Sequence, residues 1–166
     1  VIGIAREIAA VTGNPLRLPQ VTLPAASGTS ASASVRLEAP ELCPRYTARV
    51  IRGLKVGPSP AWLRSNLEKV GLRSINNVVD ISNYVMLLLG RPTHVFDLDR
   101  MPEKHIEVRW ARAGETLTLL NDQTIELNEQ LGIITSAGTA ESLAGIMGGA
   151  STAVSLDTTS IYVEAA

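Results

Sequence analysis

Apolar positions recur along the chain at two different periods. In residues 1–13, Ile4, Ile8 and Val11 fall at helical spacing, and Gly13-Asn14-Pro15 ends the run, which predicts an opening helix. Residues 46–56 are β-branched positions interrupted by Arg49, Arg52 and Lys55, the composition of a strand. Gly57-Pro58-Ser59-Pro60 then reads as a turn, with Ser59 as helix N-cap and Pro60 in the first helical position. A helix over 61–70 follows, closed by Gly71. Another runs from about Asn76 to Leu89 and ends at Gly90, with Val78, Ile81, Val85, Leu88 and Leu89 as its expected buried stripe. After Pro92 the helical period gives way to short β-like runs at 105–111, 116–120, 124–127, 132–135, 143–147 and 160–163. Asn121-Asp122-Gln123 has the composition of a hairpin turn. Helices mainly in the first half and a β-rich second half make an α+β pattern.

Between the opening helix and the rest lies Pro24-Ala25-Ala26-Ser27-Gly28-Thr29-Ser30-Ala31-Ser32-Ala33-Ser34, small and apolar-poor, as in a flexible linker. The expected division is therefore 1–19 as a helix and connection from an upstream domain, 20–34 as linker, and 35–166 as the domain proper. The chain begins without Met and stops at Val163-Glu164-Ala165-Ala166, so it reads as an excised piece. Aromatic residues make up only 4 % of the chain, which leaves Val, Ile, Leu and Ala to build the core. No apolar run approaches the roughly 20 residues of a membrane span, and the N-terminal residues do not have the form of a signal peptide.

Charge and cysteine usage narrow the chemistry. Residues 45–100 hold nine Lys/Arg against four Asp/Glu, while 101–166 hold three against nine. Such asymmetry fits either an anionic partner on one side or two ordinary solvated faces. Cys43 is the single cysteine, which suits a reducing compartment. With His94 and His105 it matches no zinc-ligand spacing, so no metal site is expected. Gly145, Gly148 and Gly149 form Gly-x-x-Gly-Gly without the Lys-Ser/Thr of a phosphate loop. Close backbone approach to a ligand, or positive φ in a turn, explains them better.

Four segments in this order resemble phenylalanyl-tRNA synthetase β subunits of the bacterial type. They are 43–51 (Cys43-Pro44-Arg45-Tyr46 onward), Ser59-Pro60-Ala61-Trp62-Leu63 through 71–85, Gly90-Arg91-Pro92-Thr93-His94-Val95-Phe96-Asp97, and 143–149 followed by 163–166. The resemblance implies the editing-domain fold of that subunit, here incomplete at its C-terminal end. It also implies an activity: hydrolysis of tyrosine wrongly esterified to tRNA(Phe). A pocket built for Phe rejects an added hydroxyl only modestly, whereas a second site that hydrogen-bonds the hydroxyl discriminates strongly.

Residue by residue, the resemblance makes Glu164 the acceptor for the tyrosine hydroxyl; by itself it is an acidic residue in apolar company. His94 and Asn83 are the expected catalytic pair, placing water or a proton near the ester rather than acting as a triad. Arg73, Ser82, Gly145 and Gly148 are expected to bind substrate. The plainer readings are an Arg73 salt bridge with Asp80 and an exposed helix position for Asn83. The implied partners are tRNA(Phe), the synthetase α subunit and the rest of the β subunit, in the cytoplasm. No cofactor is expected here; ATP and magnesium belong to other parts of the parent enzyme. The contrasting function is a catalytically silent scaffold that docks tRNA or a subunit.

Overall fold

The computed structural model describes residues 1–23 and 33–166; residues 24–32, most of the expected linker, lie outside the described residues. Helix α1 spans Ile2–Thr12 and ends where Gly13 adopts φ 70°. Strands β1 (Ser34–Leu37) and β2 (Thr47–Arg52) precede α2 (Ala61–Lys69) and α3 (Asn77–Leu89). Eight further strands follow: β3 (His94–Asp97), β4 (His105–Trp110), β5 (Thr116–Thr118), β6 (Thr124–Glu126), β7 (Gly132–Ser136), β8 (Thr139–Leu143), β9 (Met147–Gly148) and β10 (Ser160–Ala165). The architecture is α+β, as its alternation of periods requires.

Three sheets organise these strands. A five-stranded sheet has the order β1-β4-β7-β8-β9, a three-stranded sheet β2-β10-β3, and β5-β6 form a hairpin. Among the described residues only β1 and β4 pair in parallel; the other strand pairings are antiparallel. Strand β10, last in the chain, is the centre of the small sheet and pairs along its length with β2. Successive strand residues face opposite ways, so Tyr162 and Glu164 share a face of β10, with Phe96 and His94 beside them on β3. That face meets Ile106, Val108 and Ile134 of the large sheet in a core that also holds Cys43, Leu98 and Met101. A second cluster, from Leu117, Leu119 and Leu127 to Ile133 and Leu143, seals the hairpin onto the large sheet.

Tertiary packing changes several local expectations. Ser59 does not cap α2; Pro60 occupies the cap position, and the Ser59 hydroxyl donates to the buried carboxylate of Asp80 on α3. The stripe expected to be buried on α3 is only partly covered: Ile81 and Leu89 are 54 % and 55 % exposed, and Asp80 is the buried residue of the helix. The run expected as a strand at 143–147 is instead a turn, with Gly145 at φ 70°, that joins the end of β8 at Leu143 to the start of β9 at Met147. Strands β1 and β3 lack clear alternating patterns and were not apparent from periodicity. Each gains its identity from a partner, β4 for β1 and β10 for β3.

Candidate functional site

At one end of the small sheet, β10 finishes while β2 and β3 begin, and the chain concentrates polar side chains there. Glu164 lies directly between Ala48 of β2 and His94 of β3. Its residue is 7 % exposed. Burial in apolar surroundings raises its carboxyl to about 7, although a hydrogen bond from Tyr46 opposes the rise. The Tyr46 hydroxyl donates to Glu164 Oε2 at 2.8 Å across 118 positions of sequence. Tyr46 sits immediately before β2 and packs against the main core. Burial first, and the Glu164 charge second, push its phenol well above the ordinary tyrosine range, so it is a permanent donor.

His94, paired across the ladder with Glu164, has a half-buried imidazole that stands edge-on to Phe96 with ring centroids 4.4 Å apart. Burial lowers its pKa to about 4, which makes the ring neutral at pH 7 and gives it one accepting and one donating nitrogen. Strand β9 of the large sheet also closes on the ring. A Cβ built on Gly148 would stand 2.2 Å from His94 Cε1 and 2.5 Å from Nε2. The absence of a side chain at 148 is therefore what lets the imidazole occupy its place. Gly149 is equally confined, with the Glu141 carbonyl 2.7 Å from where its Cβ would be. Gly145 has open space around it, so its glycine serves the positive-φ turn rather than close approach.

Ser82 reaches this region indirectly. Its hydroxyl contacts the Thr93 carbonyl at 2.9 Å and the Thr93 hydroxyl at 2.8 Å, tying α3 to the residue before His94. Asn83 follows it on α3, half-buried, with no side-chain hydrogen bond recorded among the described residues. Arg73 is exposed in the α2–α3 connection and forms no ion pair among the described residues. Asp80, the partner a plain salt bridge would have used, is instead ringed by donors. Burial pushes its carboxyl up, but the Ser59 and Ser74 hydroxyls and the Ile75 amide outweigh that and hold it below the ordinary range.

The structure thus brings His94, Glu164 and Gly148 together, links Ser82 to them through Thr93, and leaves Arg73 and Gly145 exposed to solvent. It adds two residues that sequence reasoning did not assign, Tyr46 and Tyr162. The Tyr162 hydroxyl is close enough to Tyr46 and Glu164 to feel both, and burial raises its pKa to about 12. At hydrogen-bonding geometry it has no partner among the described residues. Tyr46 stands within a motif that carried the family resemblance, yet no spacing connects position 46 to 164; only the β2–β10 pairing does. No group of three or more His, Cys, Asp or Glu side chains is placed to hold a metal ion among the described residues.

Comparison with known proteins adds an independent line. The B3/4 domain profile matches residues 42–166. A phenylalanine–tRNA ligase β subunit from Burkholderia pseudomallei is 53 % identical over 167 residues, covering 100 % of this chain and 20 % of that protein. The β subunit from Cupriavidus pinatubonensis is 54 % identical over 165 residues, covering 99 % and 20 %. That from Bordetella pertussis is 48 % identical over 167 residues, covering 100 % and 20 %. The chain therefore spans about a fifth of the length of these relatives. The crystal structure of an N-terminal fragment of the phenylalanyl-tRNA synthetase β subunit from Pyrococcus horikoshii shares the fold, with a TM-score of 0.59 at 17 % identity, covering 98 % of this chain and 50 % of that one.

Proposed function

The chain belongs to the B3/4 domain family and corresponds to a segment of phenylalanine–tRNA ligase β subunits, and from that premise we propose that it is an editing site hydrolysing Tyr-tRNA(Phe). The observation that carries this reading is the buried Glu164 carboxylate directly across from a neutral His94. A buried carboxylate oxygen is a strong acceptor for a phenol. Phenylalanine in the same place leaves it unpaired, which costs about 1–3 kcal/mol or more for a charged group.

Hydrolysis of the ester needs a water placed against the carbonyl carbon; the ribose oxygen of the tRNA leaves. Neutral His94 has a lone pair able to accept a hydrogen bond from that water and so orient it. Gly148 gives the imidazole its room, and Ser82 fixes the segment that carries it. Half-buried Asn83 is the second member of the catalytic pair, able to orient a water or the polar groups of the substrate, and exposed Arg73 is assigned to the RNA backbone. Support for an RNA partner comes from charge: among the described residues no Lys or Arg between 45 and 100 is in a salt bridge, and residues 24–32 contain no charged side chain. Uncompensated cations of this kind suit phosphates. The α subunit and the remainder of the β subunit complete the assembly in the cytoplasm. ATP and magnesium serve the ligase reaction outside these residues. No helix among the described residues is long and apolar enough to cross a membrane.

The test is deacylation of Tyr-tRNA(Phe) and Phe-tRNA(Phe) by the intact α/β enzyme, wild type beside Glu164→Ala. Faster release of Tyr than Phe, with the preference reduced at least about tenfold by the substitution, is the expected result. If neither ester is cleaved above background, the silent scaffold replaces the hydrolase.

A further inference from the structure

We propose that Tyr46 is a positioning residue for specificity: its hydroxyl holds Glu164 Oε2 so that Oε1 is left to accept from the hydroxyl of a bound aromatic side chain. This rests on the editing reading above and names the residue that makes it selective. The geometry has three parts. The Tyr46–Glu164 bond is 2.8 Å long and uses one carboxylate oxygen, while Oε1 accepts no hydrogen bond among the described residues. Both residues are anchored by the continuous β2–β10 ladder, since Tyr46 precedes Thr47, the partner of Ala165. Among the described residues the rest of the surroundings supplies no cation in a salt bridge with Glu164. Tyr162 of β10, His94 of β3, and Tyr46 and Cys43 of the segment before β2 face the carboxylate, and all are neutral at pH 7; Arg91 is sensed through Cys43.

A carboxylate in such surroundings tends to take up a proton, and a neutral carboxyl is less costly to leave unpaired than an anion. The Tyr46 bond favours the ionised form, as any donor to a carboxylate does. It therefore sharpens the penalty against an aromatic ring without a hydroxyl. It also stops rotation of the carboxylate, so Oε1 points consistently. A rival role uses the same contact: the Tyr46 phenol is the chemical group expected of the substrate, and it would then be a plug that substrate displaces.

Tyr46→Phe in the intact α/β enzyme separates these. Removing one hydrogen bond to a charged group is expected to slow Tyr-tRNA(Phe) deacylation roughly tenfold at pH 7 and to leave Phe-tRNA(Phe) little changed. The pH at which the Tyr/Phe preference is half lost should also rise, by about one unit, because the carboxyl loses the donor that favours its anion. Unchanged rates with an unchanged pH profile overturn the proposal, and faster Tyr release overturns it in favour of the plug. Should the wild-type enzyme cleave neither ester, the function fails separately, and the crystal structure of the intact variant then decides Tyr46. Displacement of the Glu164 carboxylate by more than about 0.5 Å supports positioning, and superposition on the wild-type carboxylate refutes it.

Discussion

A methyl group is the smallest change that tests how the site is assembled. At position 148 it would fall 2.2 Å from His94 Cε1, well inside contact distance, so the imidazole must turn or β9 must move. β9 is held on both sides: Gly148 pairs with Ser142, its carbonyl accepts from the Leu120 amide, and the next residue donates to the Glu141 carbonyl. The ring is therefore the softer element and yields. Gly148→Ala is expected to cost about 1–3 kcal/mol of stability through overpacking. On the proposed editing function it should also lower Tyr-tRNA(Phe) deacylation by the intact enzyme more than roughly tenfold, because water placement tolerates little displacement. Chemical denaturation and the deacylation assay check the two halves, and full activity in a folded variant would refute the role given to this contact.

The entry to α3 shows how a helix is started by its surroundings. Asn76 caps it conventionally, with Oδ1 accepting from the Val78 and Val79 amides at 3.1 and 3.0 Å. One turn in, Asp80 is completely buried and gathers Ser59, Ser74 and the Ile75 amide, so a single carboxylate fastens the α2 entry and the α2–α3 connection to α3. Its place in the first turn also suits the positive end of the helix dipole. The order of two substitutions follows. Asn76→Ala should cost about 1 kcal/mol, the value of one cap. Asp80→Ala should cost more, roughly 3 kcal/mol, because it strands three donors at once. Thermal melts of the two variants check the ranking, and an Asp80→Ala variant as stable as Asn76→Ala would contradict it. The open flank of α3, with Ile81 and Leu89 exposed, explains why apolar periodicity overstated burial there: periodicity reports a stripe, and what covers it comes from elsewhere.

For the whole molecule, the His94–Glu164 pair makes an unusual linkage. The folded His94 titrates near 4 instead of 6.5, so its contribution is present above pH 6.5 and is lost as pH falls toward 4. Folded Glu164 titrates near 7 instead of 4.5, so its contribution is present below pH 4.5 and is lost as pH rises through 7. Each shift corresponds to roughly 3 kcal/mol. Between pH 4.5 and 6.5 the folded pair carries its proton on Glu164 and the unfolded pair carries it on His94. The proton count is the same, and the two slopes cancel. Relative to wild type, Glu164→Gln is expected to gain stability as pH rises through that window, and His94→Gln to lose it. Urea midpoints at pH 4.5, 5.5 and 6.5 read both differences; parallel curves for all three proteins would show that neither group is perturbed by the fold.

What the sequence by itself determined is local. Glycines and prolines placed the ends of α1, α2 and α3 to within a residue or two, because a chain at Gly13 or Gly90 adopts a left-handed turn that ends a helix whatever surrounds it. The hairpin at Asn121-Asp122-Gln123 was legible for the same reason, with Asp122 at φ 64°. Motifs named His94, Glu164 and Gly148, but nothing in their spacing said that they meet. Only the tertiary structure decided that, by pairing the last strand with β2 and β3 and closing β9 onto the imidazole. It also decided that Ser59 serves Asp80 rather than α2, since a buried carboxylate needs donors more than an exposed helix end does. Tyr46 was beyond reach for the deepest reason: a hydrogen bond spanning 118 residues leaves no periodic trace in either segment, and the ladder that creates it forms only when the chain is folded.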